Sequence, residues 1–273
     1  MPGPAEEAVT APEEAGRAPA PRHVIAVASG KGGVGKSTVA VNLAAALAQA
    51  GARCGLLDAD FYGPSVPLMT GLRDGRLRTG ADGRIQPIEI HGIKIVSIGF
   101  MVPEGEALMW RGAILHKLIH DFIHDVDWGE CDYLIVDLPP GTGDVPLSLH
   151  QAIPFRGALL VTTPQAVAVA DATRAAALCR ELGIPLLGLI ENMSGLVCPH
   201  CQGHVDLFTP GGAQDLSGQL GIPLLGRIPF DPQVGLCGDL GLPPVLARPD
   251  SPTAATFREI ALRLTRQLPV VAA

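Results

Sequence analysis

The eight residues GKGGVGKS, Gly30 to Ser37, leave this chain little choice of fold. They fit the pattern G-x-x-x-x-G-K-S/T. They stand between an apolar run, HVIAVAS (23–29), and a stretch (37–50) with Val39, Leu43 and Leu47 at helical spacing. A strand that passes through a glycine turn into a helix opens a βαβ unit, and such units build parallel sheets. The glycines let backbone N–H groups turn inward around phosphate oxygens, and a helix starting near Lys36 adds the positive end of its dipole. Gly30, Lys31, Gly32, Gly33, Val34, Gly35, Lys36, Ser37 and Thr38 form the candidate phosphate-binding set. Lys36 would reach the β- and γ-phosphates of ATP, and Ser37 would coordinate Mg2+. The plain alternative is a glycine-rich turn before a helix.

The same alternation continues along the chain. CGLLDAD (54–60), DYLIVDLPPGTGD (132–144), GALLVTT (157–163), PLLGLIEN (185–192) and PLLGRIPF (223–230) read as buried strands, with a helix over 166–182. The expected fold is α/β, a mostly parallel, doubly wound sheet flanked by helices. Polar residues gather where the strands end, the edge at which open parallel sheets bind ligands. Glycines, charges and the alternating runs RIQPIEI and IKIVSI between Gly71 and Gly99 predict a β-hairpin inserted at the sheet edge. Residues 1–22 are rich in Pro, Ala and Glu and lack large apolar side chains, so a disordered tail is expected ahead of one P-loop domain, 23–273. The four glutamates of that tail disfavour a transit peptide.

Charge and hydropathy narrow the partners. A net charge of −7 without a basic run argues against a nucleic-acid surface. No stretch approaches ~20 uninterrupted apolar residues, so no membrane span is predicted and a cytoplasmic protein is expected. On the predicted helix 111–126, His116, His120 and His124 share a face opposite an apolar stripe, which reads as a solvated face. The predicted last helix, 252–267, carries Phe257, Ile260, Ala261 and Leu264 as a core-packing stripe.

Lys31 is one lysine more than a phosphate loop needs. KGGVGKS is similar to the deviant phosphate loop of the MinD/ParA-type ATPases, whose extra lysine crosses a dimer interface to the partner's nucleotide. The resemblance implies that Lys31 acts in trans in a homodimer; a solvated loop lysine is the alternative. Asp137, after YLIV, reads as the carboxylate that holds Mg2+ directly or through water. Asp58 and Asp60 end the second predicted strand two residues apart, on the same side of it. By the resemblance Asp60 helps to position the attacking water, Asp144 belongs to a second switch, and Asn192 and Pro229 to Asp231 contact the adenine base. Those last positions also read as ordinary strand-end turns.

Of six cysteines, Cys54, Cys131, Cys179 and Cys237 read as buried or idle thiols. Cys198 and Cys201 form a CxxC pair near 195–204. Two thiolates are half of what a closed zinc site or a [4Fe–4S] cluster needs, and a two-fold axis through two such loops would complete the set. ENMS, then CPHC and a following GG, resembles the Mrp/ApbC family of iron–sulfur cluster carrier ATPases. MWRG (109–112) and WGECDYLIVDLPPGTGDVPLSLHQ (128–151) extend that resemblance over about Ile25 to Val234. It implies a [4Fe–4S] cluster bridging two subunits, with cluster scaffold proteins and apo iron–sulfur proteins as partners. The separate N-terminal domain of many members and the N-terminal cysteines of a eukaryotic branch have no counterpart, so that branch's second cluster is not expected. Competing readings of the pair are a redox dithiol, a zinc site completed by His204 and His200, or inert thiols. Competing readings of the chain are a MinD/ParA-type positioning ATPase and a P-loop chaperone for a single zinc or nickel ion.

Overall fold

The computed structural model describes residues 20–101, 112–142, 149, 153–198, 200, 201 and 203–270. Most of the expected tail, Met109 to Arg111, Asp144 and Pro199 lie outside the described residues, as does the side chain of His116. The strands are β1 (His23–Ala28), β2 (Cys54–Asp58), β3 (Arg78–Thr79), β4 (Ile85–Gln86), β5 (Ile88–Ile90), β6 (Ile93–Ser97), β7 (Tyr133–Asp137), β8 (Gly157–Thr162), β9 (Leu186–Glu191), β10 (Leu196–Val197), β11 (His204–Val205) and β12 (Leu224–Arg227). The helices are α1 (Lys36–Gln49), α2 (Val66–Met69), α3 (Gly112–His124), α4 (Ala166–Glu181), α5 (Gly212–Leu220), α6 (Pro232–Asp239), α7 (Pro244–Ala247) and α8 (Pro252–Gln267).

Eight strands form one sheet in the order β12-β9-β8-β1-β7-β2-β6-β5. Every neighbouring pair is parallel except β5 with β6. Helices cover both faces, so β2, β7 and β8 are buried at every position and read as continuous apolar runs. Successive residues face opposite cores. Ile25, Val27 and Ile135 pack with Leu43, Leu47, Phe257 and Leu264 on one side. Ala26, Leu134 and Val136 pack with Phe122, Trp128 and Leu160 on the other. Leu43, Leu47 and Leu264 are 0% exposed, and each such burial stabilises the fold by ~2 kcal/mol. The apolar stripe of α8 belongs to this core, as its spacing predicts. No helix among the described residues is long and apolar enough to cross a membrane.

The segment 71–99 contains the expected hairpin at the sheet edge, β5 turning back into β6, and adds two features to it. β3 pairs with β4 as a small separate ribbon, and Pro87, which lacks an N–H, separates β4 from β5. β6 is an internal strand, parallel to β2, and only β5 turns back antiparallel at the edge. The run IKIVS therefore extends the sheet and ends at the same carboxyl edge as β2.

The carboxyl edge is the polar rim of the sheet. Ser29, Asp58, Ser97, Asp137, Thr162, Thr163, Glu191 and Asn192 line it and are all buried. The chain leaves β1 toward β2 on one side and later crosses from β7 to β8 on the other, so this rim lies at the topological switch point.

Candidate functional site

The loop from Ser29 to Lys36 is shaped by residues that only glycine can supply at three points. Gly33 (φ 79°) and Gly35 (φ 82°) lie in the left-handed region, where a side chain is strained. At Gly30 a Cβ would stand 2.0 Å from the backbone oxygen of Asp171, so the loop rests directly on α4. α1 then starts at Lys36 with Gly35 as its cap residue and no side-chain cap, which leaves the first-turn N–H groups free for an anion.

Lys36 is 6% exposed. Its Nζ donates to Asp137 Oδ1 at 2.6 Å and to Asp60 Oδ2 at 3.4 Å, and it lies 3.4 Å from Ser37 Oγ. The other oxygen of Asp137, Oδ2, is buried without a hydrogen-bond partner. Burial pushes the Asp137 carboxyl above its ordinary range, and the Lys36 ammonium opposes that shift. An orphaned carboxylate oxygen beside a serine hydroxyl is hard-oxygen chemistry of the kind Mg2+ takes, so these residues fit the ion.

Asp58 is the last residue of β2 and Asp60 lies just beyond it. Ala59 N–H donates to the Asp137 carbonyl at 3.0 Å, which continues the parallel β2–β7 pairing past Asp58, and the chain turns at Asp60, where Phe61 N–H donates back to the Ala59 carbonyl at 3.1 Å. Asp60 swings to Lys36. Asp58 stays in the sheet, where Oδ2 accepts from Ser97 Oγ at 2.8 Å and Val66 N–H at 3.3 Å, and Oδ1 accepts from Asp60 N–H at 3.2 Å. Burial first, and then the neighbouring Asp137 charge, push Asp58 up to about 7. Ser97 was not singled out from the sequence, because its role depends on β6 lying next to β2. The polar residue ending IKIVS was the available signal.

Lys31 turns away from its own loop. Its Nζ donates to Gln165 Oε1 at 3.2 Å, at the exposed entry to α4. Val34 is buried, and its carbonyl accepts from Asn192 Nδ2 at 2.9 Å. The Thr38 hydroxyl faces the Met69 sulfur at 3.8 Å, so toward a phosphate this residue offers its backbone. Asp231 caps α6: Oδ1 accepts from Gln233 N–H at 2.9 Å and Oδ2 from Thr253 Oγ1 at 3.1 Å. That capping carboxylate gives the strand-end reading of Asp231 a concrete structural role.

The cysteine pair sits at the tip of a short antiparallel hairpin, β10 with β11, closed by Cys198 N–H donating to the Gly203 carbonyl at 2.9 Å. Cys198 is half-buried and Cys201 exposed. The Cys201 backbone N–H foremost, then that of His200, and then the Cys201 thiol hold the Cys198 thiol below its ordinary range. Among the described residues no helix begins at the pair, whereas a thioredoxin-like pair stands at a helix N-terminus. His204 Nε2 lies 3.0 Å from Asp206 Oδ1, and among the described residues no three His, Cys, Asp or Glu side chains converge on a metal position. One chain thus offers two thiol ligands. Cys54, Cys131, Cys179 and Cys237 are buried. Burial raises the first three, Cys131 to about 12 and Cys179 to about 11.

Residues 20–265 match the family model described as "ParA: NUBPL iron-transfer P-loop NTPase". An iron–sulfur cluster carrier protein of Deinococcus radiodurans is 51% identical over 92% of this chain and 71% of its own length. One of Aquifex aeolicus is 48% identical over 92% and 69%. Among solved structures, a nucleotide-binding protein in complex with ADP from Archaeoglobus fulgidus superposes with a TM-score of 0.72 at 39% identity, covering 81% of this chain and 86% of that one. The cell-division protein MinD of Pyrococcus horikoshii, complexed with Mg-ADP, shares the fold with a TM-score of 0.69 at 24% identity, over 90% of this chain and 97% of that one. The glycine loop, the buried Lys36–Asp137 pair and the exposed CxxC hairpin therefore sit in a chain that belongs to the ParA/NUBPL family of iron-transfer P-loop NTPases.

Proposed function

We propose that this chain binds and hydrolyses ATP as a homodimer and carries a [4Fe–4S] cluster between its two cysteine hairpins, for delivery to apo iron–sulfur proteins. The observation that carries this reading is the half ligand set at the cysteine tip: the phosphate site gathers Lys36, Asp60 and Asp137 from one chain, whereas among the described residues the hairpin offers two thiols and no third ligand. Hydrogen bonds from the Cys201 and His200 N–H groups lower the charge cost of a thiolate at Cys198, as cluster ligation requires. Lys36 would exchange Asp137 for phosphate oxygens, and Ser37 with the freed Asp137 would hold Mg2+, which neutralises charge on the phosphates. Asp60, already turned toward Lys36, would orient the attacking water. Lys31, directed away from its own loop, would stabilise charge at the partner's nucleotide. Asn192 and the Pro229–Asp231 turn would flank the base.

Anaerobic reconstitution of the purified chain with iron and sulfide tests the proposal. The expected product is a dimer with two cysteine pairs per cluster, lost in Cys198→Ala and in Cys201→Ala. A cluster that survives both substitutions refutes the site. Zinc or nickel in place of iron and sulfide after anaerobic purification would favour the metal-ion chaperone reading.

A further inference from the structure

The phosphate loop and the cysteine hairpin are joined by one continuous strap, Glu191 to Cys198, pinned at almost every residue. At the nucleotide end Asn192 N–H donates to the Thr162 carbonyl at 2.8 Å, while its side chain donates to the Val34 carbonyl inside the glycine loop at 2.9 Å. Gly35 admits that side chain, since a Cβ there would lie 2.2 Å from Asn192 Nδ2. At the hairpin end Gly195 (φ 74°) passes beneath the His204 ring of β11, where a Cβ would stand 2.4 Å from His204 Cε1. Between these contacts lies Met193, with φ 57°, one of two non-glycine residues with positive φ among the described residues. Such a conformation persists only where the surroundings fix it. Here Ser194 N–H donates to the Ile228 carbonyl at 2.9 Å, Ser194 Oγ to Glu191 Oε1 at 2.5 Å, and Phe230 N–H to the Gly195 carbonyl at 2.7 Å.

We infer that this strap, with Met193 as its hinge, couples the nucleotide loop to the cysteine hairpin, so that phosphate binding at Gly30–Ser37 changes how Cys198 and Cys201 are presented. The inference rests on the reading above that the loop takes nucleotide and the cysteines take the cluster. A shift of the Val34 carbonyl on nucleotide binding pulls on Asn192, and the neighbouring Met193 is the one strap residue already held in a strained conformation. A relaxed Met193 swings Ser194 and Gly195, and with them the start of β10. Coupling of this kind is reciprocal: whatever factor nucleotide imposes on the cysteines, the loaded cysteines impose on nucleotide affinity.

The test uses the cluster-free chain, with N-ethylmaleimide as the thiol probe and Mg-ADP as the nucleotide. In the natural sequence, Mg-ADP is expected to change the alkylation rate of Cys198 and Cys201 by about fivefold or more. Met193→Gly, which adopts positive φ without strain, should collapse that ratio toward unity with Mg-ADP affinity retained. Met193→Asn, which tolerates the same conformation, should preserve it. Nucleotide that binds tightly yet leaves the thiol rates unchanged overturns the coupling alone, and a full ratio in Met193→Gly overturns the strap as its path. A chain that binds no nucleotide overturns the functional reading itself. Should Met193→Gly fail to fold, Gly195→Ala, which forces the strap away from His204, must alter the ratio for the inference to stand.

Discussion

The two ends of the strap differ in almost every physical respect. At the phosphate loop, Lys36, Asp58, Asp60 and Asp137 are buried and tied to one another, in a setting where an ammonium and three carboxylates hold each other in place. At the hairpin, Cys198 and Cys201 are partly or fully exposed, held by a two-residue ribbon and backbone N–H groups. The first end buries its charged groups within the fold, and the second presents two thiols at the surface. A carrier that must keep its nucleotide chemistry dry while surrendering its cargo requires such an inequality, because buried ligands release metal slowly and exposed ones do not.

Substitutions can break this comparison. Lys36→Ala attacks the finished end and should have the largest effect. It should lower ATP turnover by about 10³-fold and, by leaving Asp137 buried without its cation, destabilise the fold by ~3 kcal/mol. Turnover assays and thermal melts read the two effects separately. Lys31→Ala should lower turnover by about 10²-fold while leaving the ADP affinity of the isolated chain intact, because its Nζ contacts Gln165 rather than its own loop. Equal loss of ADP binding in both variants would erase the distinction between a lysine acting at home and one acting across an interface.

Acidity sharpens the contrast further. Asp58 titrates near 7 in the fold and at an ordinary carboxylate value when unfolded, so the native state holds the extra proton. Its stabilising contribution is complete below the unfolded value and lost as pH rises through about 7. In nucleotide-free protein, melts from about pH 5 to about pH 8 should show the natural sequence losing ~1–3 kcal/mol relative to Asp58→Asn. Parallel curves would mean that Asp58 is ionised throughout. The smallest effect belongs to the hairpin: near neutral pH, Cys198 should alkylate several-fold faster than Cys201, and Cys54 and Cys131 hardly at all. Mass-spectrometric mapping of the modified thiols measures this order.

Much of the fold was legible because its signals are local. The glycine loop, the apolar runs and the helical stripes each depend on neighbours in sequence, and α8 spans the same residues as its pattern predicts. Cys54, Cys131, Cys179 and Cys237 were readable as core residues for the same reason. The parts that were not legible depend on distant pairings. IKIVS reads as half of a hairpin with IEI, which it is, but its second pairing, parallel to β2, leaves no mark in its pattern, and nothing in DAD tells that Asp58 meets Ser97 while Asp60 meets Lys36. Ser97 and Gln165 gain their meaning from partners 39 and 134 positions away, and Met193 from the pinning of its neighbour Asn192 to Val34, 158 positions away, which no window of sequence contains.

The edge strand β5 carries one last consequence. It is three residues long, runs against the grain of the parallel sheet, and presents Glu89 beside Lys94 to solvent. A blunt, charged margin of this kind discourages sheets from stitching together side by side.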